Sequence, residues 1–491
     1  MGASHATLCE FHSLLSCVDI DDARRTTAPL SYVSEVPSSI VLHEQTFETN
    51  QQFTLWRKRT ARRILATQGA NGSHLSVAWL PAFNSGAPSF YDRSNSMSNP
   101  HSNAADSALT ARVNEAISPV TLGDSATPAA PSGIGLCLSG GGYRAMVFHI
   151  GSIMRLNEAG MLPKLARISS VSGGSITAGV LALNWDSMTF VNNVASNLQE
   201  KFVKPLRAMA SETIDAESIL GGIFLPGSIG DKIASAYDQH LFHKKTLQDI
   251  TATGPRFIIN ATNMQSGVLW RFSRKEMRDY RVGSIPNPAV RLAVAVAASS
   301  AFPPVLSPVT LRVDPKSFAP PDGSEDLHRE PFTKKIMLSD GGVYDNLGLE
   351  AVYKRCETVL VSDAGGKMQA EEEPKEDWAR HSMRVLDVID NQVRSLRKRQ
   401  LIASFVNNSK KGTYWGIRTD IGDYNVADAL PCPFARTLEL ASLKTRLKRL
   451  DDTMQERLIN WGYAVCDAAL RAHVVPTLSK AAGFPYPNVG V

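Results

Sequence analysis

Cysteine is scarce in this 491-residue chain: Cys9, Cys17, Cys137, Cys356, Cys432 and Cys466 stand singly. No pair has metal-ligand spacing and there is no disulfide density, so a zinc module and a disulfide-stapled secreted scaffold are excluded and a reducing cytoplasm is the expected compartment. Apolar runs long enough to span a bilayer are missing too. Residues Met1 to Val18 hold no early basic residue and are closed by Asp19, Asp21 and Asp22, which argues against a secretory signal. Met1-Gly2 begins like a myristoylation site, but Ala6 stands where Ser or Thr is needed. Net charge is low: 52 Lys and Arg against 47 Asp and Glu leave +5, too little to make nucleic-acid binding a main task. None of the 11 histidines lies in a setting that suggests the third member of a catalytic triad.

What is present is a pair of glycine-flanked segments at the ends of strand-like runs. Leu165 to Val171 reads as a buried strand and Gly173 to Leu181 as a helix packed closely on it, with Ser172 at the junction. A serine there is held on a sharp turn with its oxygen exposed, and small neighbours let strand and helix approach. The G-x-S-x-G pattern is relaxed, since Ser170 occupies the first glycine position; Ser175 fails the same test because Thr177 follows. Taken alone, Ser-Gly-Gly-Ser also fits an ordinary turn or helix cap.

The glycine run Ser139-Gly140-Gly141-Gly142-Tyr143-Arg144 supplies what the serine lacks. It joins the short apolar strand Ile134 to Leu138 to a helix expected over Met146 to Ala159, stopped by Gly160 and Pro163. Strand, glycine loop, helix is an anion-binding geometry, and its backbone N–H groups can serve an oxyanion. Arg144, in the first turn, would add a positive charge able to hold a phosphate. A P-loop would need Lys followed by Ser or Thr after the last glycine, and a dinucleotide fold would need G-x-G-x-x-G and a later acidic residue; neither is present.

A base is offered by Asp340-Gly341-Gly342, after the strand-like run Lys335 to Ser339. Asp363, after Thr358 to Ser362, is the rival. A serine with an aspartate and no histidine points to a dyad.

The glycine run with its arginine, the serine elbow about thirty residues on and the distant Asp-Gly-Gly together resemble the patatin-like phospholipases, which also resemble the catalytic module of cytosolic phospholipase A2. Ala298-Ser299-Ser300-Ala301-Phe302-Pro303-Pro304 is similar to the segment such proteins carry before the aspartate. The resemblance covers roughly Gly133 to Gly366. It implies a three-layer α/β/α patatin-like fold with a central, mostly parallel sheet. It also implies a Ser–Asp dyad of Ser172 as nucleophile and Asp340 as base, oxyanion donors from Gly140, Gly141 and Gly142, Arg144 on the phosphate or the oxyanion, and neither metal nor cofactor. Asp340 is preferred over Asp363 because the family places its base in Asp-Gly-Gly or Asp-Gly-Ala ahead of the final strand.

Around that module the expected organisation is an N-terminal region over residues 1–83, a Ser/Asn/Pro-rich flexible linker over 84–132, the catalytic domain over 133–366 and a helical extension over 367–491. Arg57-Lys58-Arg59 with Arg62-Arg63 forms a basic cluster that fits a lipid-surface anchor, an anion-binding arm or a solvated helix face. Helical periodicity is read over Asn192 to Ala210 and Ile229 to Phe242, interrupted at Gly221 to Gly227, a stretch that fits either a lid or a buried connector. The extension is expected to hold a helix opened by Glu371 and carried by Met383 to Val393, then a second over Ala435 to Leu458. Three roles are open to these helices: packing on the module, contact with membrane phosphates, and self-association. The expected function is a lipid acyl hydrolase of phospholipase A type, at most peripheral to a membrane. An esterase or acyltransferase on neutral lipids or soluble esters, and a non-catalytic or ligand-regulated lipid-binding module, are the alternatives.

Overall fold

The computed structural model describes residues 131–214, 229–303 and 306–491. The expectations placed on residues 1–83, on the linker as far as residue 130, on the basic cluster at Arg57 to Arg63 and on Gly221 to Gly227 lie outside the described residues.

Two strand–helix units open the fold. Strand β1 (Ile134–Leu138) leads into helix α1 (Gly142–Glu158), and β2 (Leu165–Val171) into α2 (Gly173–Asn184). A small hairpin, β3 (Phe190–Val191) and β4 (Val194–Ala195), precedes helices α3 (Lys204–Ala210) and α4 (Ile229–Tyr237). Strands β5 (Arg256–Asn263), β6 (Val268–Phe272), β7 (Glu276–Asp279) and β8 (Gly283–Pro286) follow, then helix α5 (Leu292–Ser299), β9 (Val309–Arg312) and β10 (Lys335–Asp340). The short helices α6 (Gly342–Asp345) and α7 (Glu350–Tyr353) lead to β11 (Thr358–Asp363). The chain closes with α8 (Trp378–Val406), β12 (Lys411–Gly416), α9 (Phe434–Ala441) and α10 (Asp452–His473).

One ten-stranded sheet runs β12-β11-β1-β2-β5-β6-β7-β8, with β10 also on β5 and β9 on β10. The five strands from β12 to β5 are parallel and flanked by helices, as the patatin-like architecture implies. Beyond β5 the sheet continues as an antiparallel wing. Alternation along the parallel strands feeds two apolar layers. Leu136, Leu138 and Leu360 face the layer that holds α1 and α10, while Cys137, Val359 and Val361 pack with Val352 of α7 and Leu401 of α8. Among the described residues no helix is long and apolar enough to cross a membrane.

One detail of register places the chemistry. Val171, at the end of β2, pairs with Asn260 of β5. Asp340, at the end of the antiparallel β10, pairs with the next residue, Ala261. Because β6 takes the other edge of β5 over this stretch, β2 and β10 must share one edge, and they meet there head to head.

The C-terminal part departs from a purely helical extension. Strand β12 joins the parallel sheet beside β11, and α10 crosses α1 at bare backbone: a Cβ on Gly151 would lie 1.9 Å from the Ile459 carbonyl oxygen, and one on Gly462 2.0 Å from that of Phe148. The single helix expected over Ala435 to Leu458 is two helices, α9 and α10. Between them the backbone bonds elsewhere: Arg446 O accepts Tyr143 N–H at 3.0 Å, Leu447 O accepts Ile214 N–H at 2.9 Å, and Leu450 N–H donates to Ala210 O at 2.9 Å. The helix expected to open at Glu371 begins at Trp378, where the Asp377 side chain accepts Arg380 N–H at 3.0 Å as an N-cap. The helical reading from Asn192 also fails at its start, because Asn192 and Asn193 take φ of 51° and 67° in the β3–β4 turn.

Candidate active site

Ser172 sits between β2 and α2 with φ 50° and ψ −120°, a conformation that costs a non-glycine residue on the order of 1–3 kcal/mol and persists only where its surroundings impose it. Those surroundings are a buried polar network. The Ser172 N–H donates to Ser299 Oγ at 3.0 Å, Ser299 Oγ donates to Asn260 O at 2.6 Å and lies 2.9 Å from Ser175 Oγ, and Ser175 Oγ donates to Ser170 Oγ at 3.0 Å. Ser170, the departure from the usual elbow glycine, therefore has a place: its hydroxyl bonds Ile258 O at 3.3 Å and closes the chain of hydroxyls under the turn. Ser175 is consumed by the same network.

Head-to-head meeting of β2 and β10 brings Asp340 beside the Ser172 hydroxyl, and the Asp340 carboxylate accepts the Gly342 N–H at 2.7 Å. The Asp340 N–H donates to Ala301 O at 2.9 Å and its carbonyl accepts Thr262 Oγ1 at 2.8 Å, so the strand end is held from both sides. Burial pushes the Asp340 carboxyl up to about 7, against the Gly342 and Ser172 hydrogen bonds, which favour its ionised form. The Asp390 carboxylate adds a smaller push upward and Arg394 a smaller pull down.

Both face a cleft of about 630 Å³. Gly140, Gly141 and Gly142 line it beside Ser172 and Asp340, and the N-termini of α1 and α2 converge on it. Within the glycine run, the Gly140 N–H is taken by Asn346 O at 3.1 Å and the Tyr143 N–H by Arg446 O. No hydrogen bond among the described residues uses the N–H of Gly141 or Gly142. The Asn346 side-chain nitrogen, buried at the cleft wall, likewise has no acceptor among them. Apolar lining comes from Phe302, Leu306, Met368 and Leu447; Lys367, Arg384 and Arg394 supply cations at its wall.

Arg144 is not part of this lining. Its side chain is 2% exposed, and its donors reach Ala364 O at 3.2 and 3.0 Å, Thr445 Oγ1 at 3.0 Å and Leu443 O. Burial lowers its pKa to about 10, with Arg418 adding to the effect. The structure thus brings five of the six predicted site residues together and directs the sixth into the joint between the glycine loop, the turn after β11 and the α9–α10 connection.

Two other groups resolve cleanly. Asp363 points away from Ser172 into an ion pair with Lys398 at 3.1 Å and a hydrogen bond from the Tyr414 hydroxyl at 2.6 Å. Burial would raise its pKa, but Lys398, Tyr414 and the Gly365 N–H hold it well below the usual carboxylate range. His149 is fully buried between Ser362 Oγ at 2.8 Å and Ser139 O at 3.0 Å, and desolvation lowers its pKa to about 4. It ties α1 to the sheet.

Sequence reading missed the inner wall of the cleft: Arg384, Asp387, Asp390 and Arg394 of α8, and Thr445 to Leu447 from the break before α10. Arg394 opens a basic run with Arg397, Lys398 and Arg399, but nothing local ties that run to a serine more than 200 residues earlier.

Residues 136–353 match a family model described as patatin-like phospholipase. No curated protein sequence matches the chain. Among solved structures, human GIVD cytosolic phospholipase A2 is similar at 14% identity over 50% of this chain and 47% of that one, with a TM-score of 0.33. The same human protein in complex with methyl gamma-linolenyl fluorophosphonate is similar at 14% identity over 69% and 58%, with a TM-score of 0.41. VipD from Legionella pneumophila is similar at 15% identity over 70% and 68%, with a TM-score of 0.30. The chain spans about half the length of the first of these.

Proposed function

We propose, from the premise that residues 136–353 form a patatin-like phospholipase domain, that this protein hydrolyses fatty-acyl esters of phospholipids through a Ser172–Asp340 dyad. The observation that carries the reading is the strained Ser172 elbow beside the buried Asp340 carboxylate, both lining a cleft with apolar side chains and a glycine loop.

In the proposed reaction Asp340 takes the proton of the Ser172 hydroxyl as its oxygen attacks the ester carbonyl. The tetrahedral oxyanion is held by the N–H groups of Gly141 and Gly142, at the positive end of α1. Collapse expels the alcohol, which takes the proton from Asp340. A water, deprotonated by Asp340, then cleaves the acyl-enzyme and frees the fatty acid. A carboxylate with a pKa near 7 is a far better base toward a hydroxyl than one near 4, and burial supplies that shift. Phe302, Leu306 and Leu447 would take the acyl chain. Lys367, Arg384 and Arg394 would face the phosphate, a role the sequence had suggested for Arg144. Arg144 acts instead as a positioning residue that braces the glycine loop.

The test is fatty-acid release from mixed phospholipid vesicles by the purified protein, without added metal, alongside Ser172→Ala and Asp340→Asn. Release by the wild type and its loss in both variants is expected. Release that survives in Ser172→Ala would remove the nucleophile assignment.

A further inference from the structure

Helix α8 turns its charged side inward and its apolar side outward. Toward the protein, Asp390 pairs with Arg394 at the cleft wall, Arg397 reaches Asp345 and Glu350 at 3.8 Å each, and Lys398 reaches Asp363. Toward the outside, Trp378, Leu386, Ile389 and Leu396 are 83%, 57%, 53% and 52% exposed. A helix on an ordinary globular surface has the opposite arrangement.

The outward residues are also spaced as a seam. Trp378, Ser382, Leu386, Ile389, Val393 and Leu396 follow one another at steps of 4, 4, 3, 4 and 3 residues. Such spacing keeps them on one narrow stripe, about 27 Å long at 1.5 Å per residue, and is the pattern with which one helix meets another. No described residue covers it.

We propose that this stripe is a self-association surface: two copies of the chain pair α8 against α8, antiparallel, about a two-fold axis between Leu386 and Ile389. In that register Leu386 of one copy meets Ile389 of the other, Ser382 meets Val393, and Trp378 packs over Leu396. Charge selects the second copy and the direction. Glu372, Glu373 and Glu376 lie exposed just before α8, while Arg394, Arg397, Lys398 and Arg399 stand in its second half, the first three paired inward and Arg399 exposed. Parallel helices would set like charges together. The antiparallel register sets Glu376 of one copy beside Arg399 of the other, and Arg399 forms no ion pair among the described residues. A lipid surface suits the stripe less well, because the acidic cluster would meet the anionic face of a membrane. One helix pair makes a small interface, so the dimer dissociates on dilution. This inference does not depend on the hydrolase reading.

Sedimentation velocity of the full chain over a wide dilution series tests it. A monomer–dimer equilibrium is expected. Ile389→Asp, at an exposed position, abolishes the dimer while thermal stability is retained. Arg399→Glu and Glu376→Arg each weaken it by about tenfold or more, and the two together in one chain restore it, which neither misfolding nor a lost lipid contact would do. A monomer at every concentration, or a dimer indifferent to Ile389→Asp, overturns the proposal. So does a monomeric wild type that binds phosphatidylcholine–phosphatidylglycerol vesicles and loses that binding in Ile389→Asp, which would give the stripe to a lipid surface. A dimer unaffected by either charge substitution overturns the antiparallel register.

Discussion

Ser299 holds Ser172 from below: its hydroxyl accepts the Ser172 N–H at 3.0 Å and passes its own proton to Asn260 O at 2.6 Å. The same short segment holds the other half of the pair, since Ser299 O accepts the Gly341 N–H at 3.3 Å and Ala301 O accepts the Asp340 N–H at 2.9 Å. Residues 299–301 are thus the clamp that sets Ser172 against Asp340. Ser299→Ala leaves the buried Ser172 N–H without an acceptor, a loss of about 1–3 kcal/mol. A fall in kcat of roughly tenfold to a hundredfold with little change in KM is expected, read from initial rates on a chromogenic ester and on vesicles.

The pH profile should rise rather than fall. As the proposed base Asp340 must be ionised, and burial raises its pKa to about 7, so kcat/KM is expected to climb with a limb near pH 7 and level off above it. For stability the sign is opposite. A carboxyl whose folded pKa lies above its unfolded value favours the folded state at low pH, and that contribution is lost between pH 4 and 7. Asp340→Asn should therefore melt increasingly higher than the wild type as pH is raised through that window, measured by thermal denaturation at a series of pH values.

Ser172 pays for its position in backbone strain. Glycine adopts φ of 50° and ψ of −120° far more readily, so Ser172→Gly is expected to be more stable than Ser172→Ala by about 1 kcal/mol, both being inactive. Denaturant unfolding of the two variants side by side checks this without any substrate.

Arg144 separates bracing from phosphate recognition. With its donors on Ala364 O, Leu443 O and Thr445, Arg144→Lys is expected to lower the melting temperature and the turnover of every ester together. The ratio of kcat/KM for a phospholipid to that for a neutral ester of the same acyl chain should stay within about twofold of the wild type. A selective collapse of phospholipid turnover would return Arg144 to the phosphate. Lys367→Ala is expected to shift that ratio against the phospholipid.

The crossing of α1 and α10 predicts an unusual glycine effect. Alanine normally stabilises a helix over glycine by roughly 0.5–1 kcal/mol. At Gly151 the added Cβ would strike the Ile459 carbonyl, so Gly151→Ala is expected to destabilise by about 1–3 kcal/mol in chemical denaturation.

Much of the candidate site could be located in the chain because its motifs are local. A strand, a run of glycines and a helix are consecutive in sequence, so Gly140 to Gly142 and Ser172 could be located without knowing the fold; Asp340 came from a third local motif. The clamp at Ser299 was visible only as composition, since a hydroxyl accepting an N–H 127 residues away leaves no periodic trace. The partners of Arg144 were hidden for the same reason. Its placement after three glycines suggested a ligand, whereas its partners Ala364 and Leu443 lie more than 200 residues on and carry no mark in their own sequence. The break in the expected helix from Ala435 was hidden because leucines and basic residues keep helical spacing across it, while tertiary hydrogen bonds to Tyr143, Ala210 and Ile214 take the backbone elsewhere.

The head-to-head meeting of β2 and β10 on the edge of β5 also governs when chemistry can begin. During synthesis Ser172 emerges long before Asp340, and a chain ending anywhere ahead of β10 holds the serine without the carboxylate proposed to take its proton. Even then the cleft stands open until Thr445 to Leu447 arrive to wall it. The proposed hydrolase is thereby kept inert on the ribosome by the order in which its parts are made, and its cleft is complete only once the segment before α10 has been released.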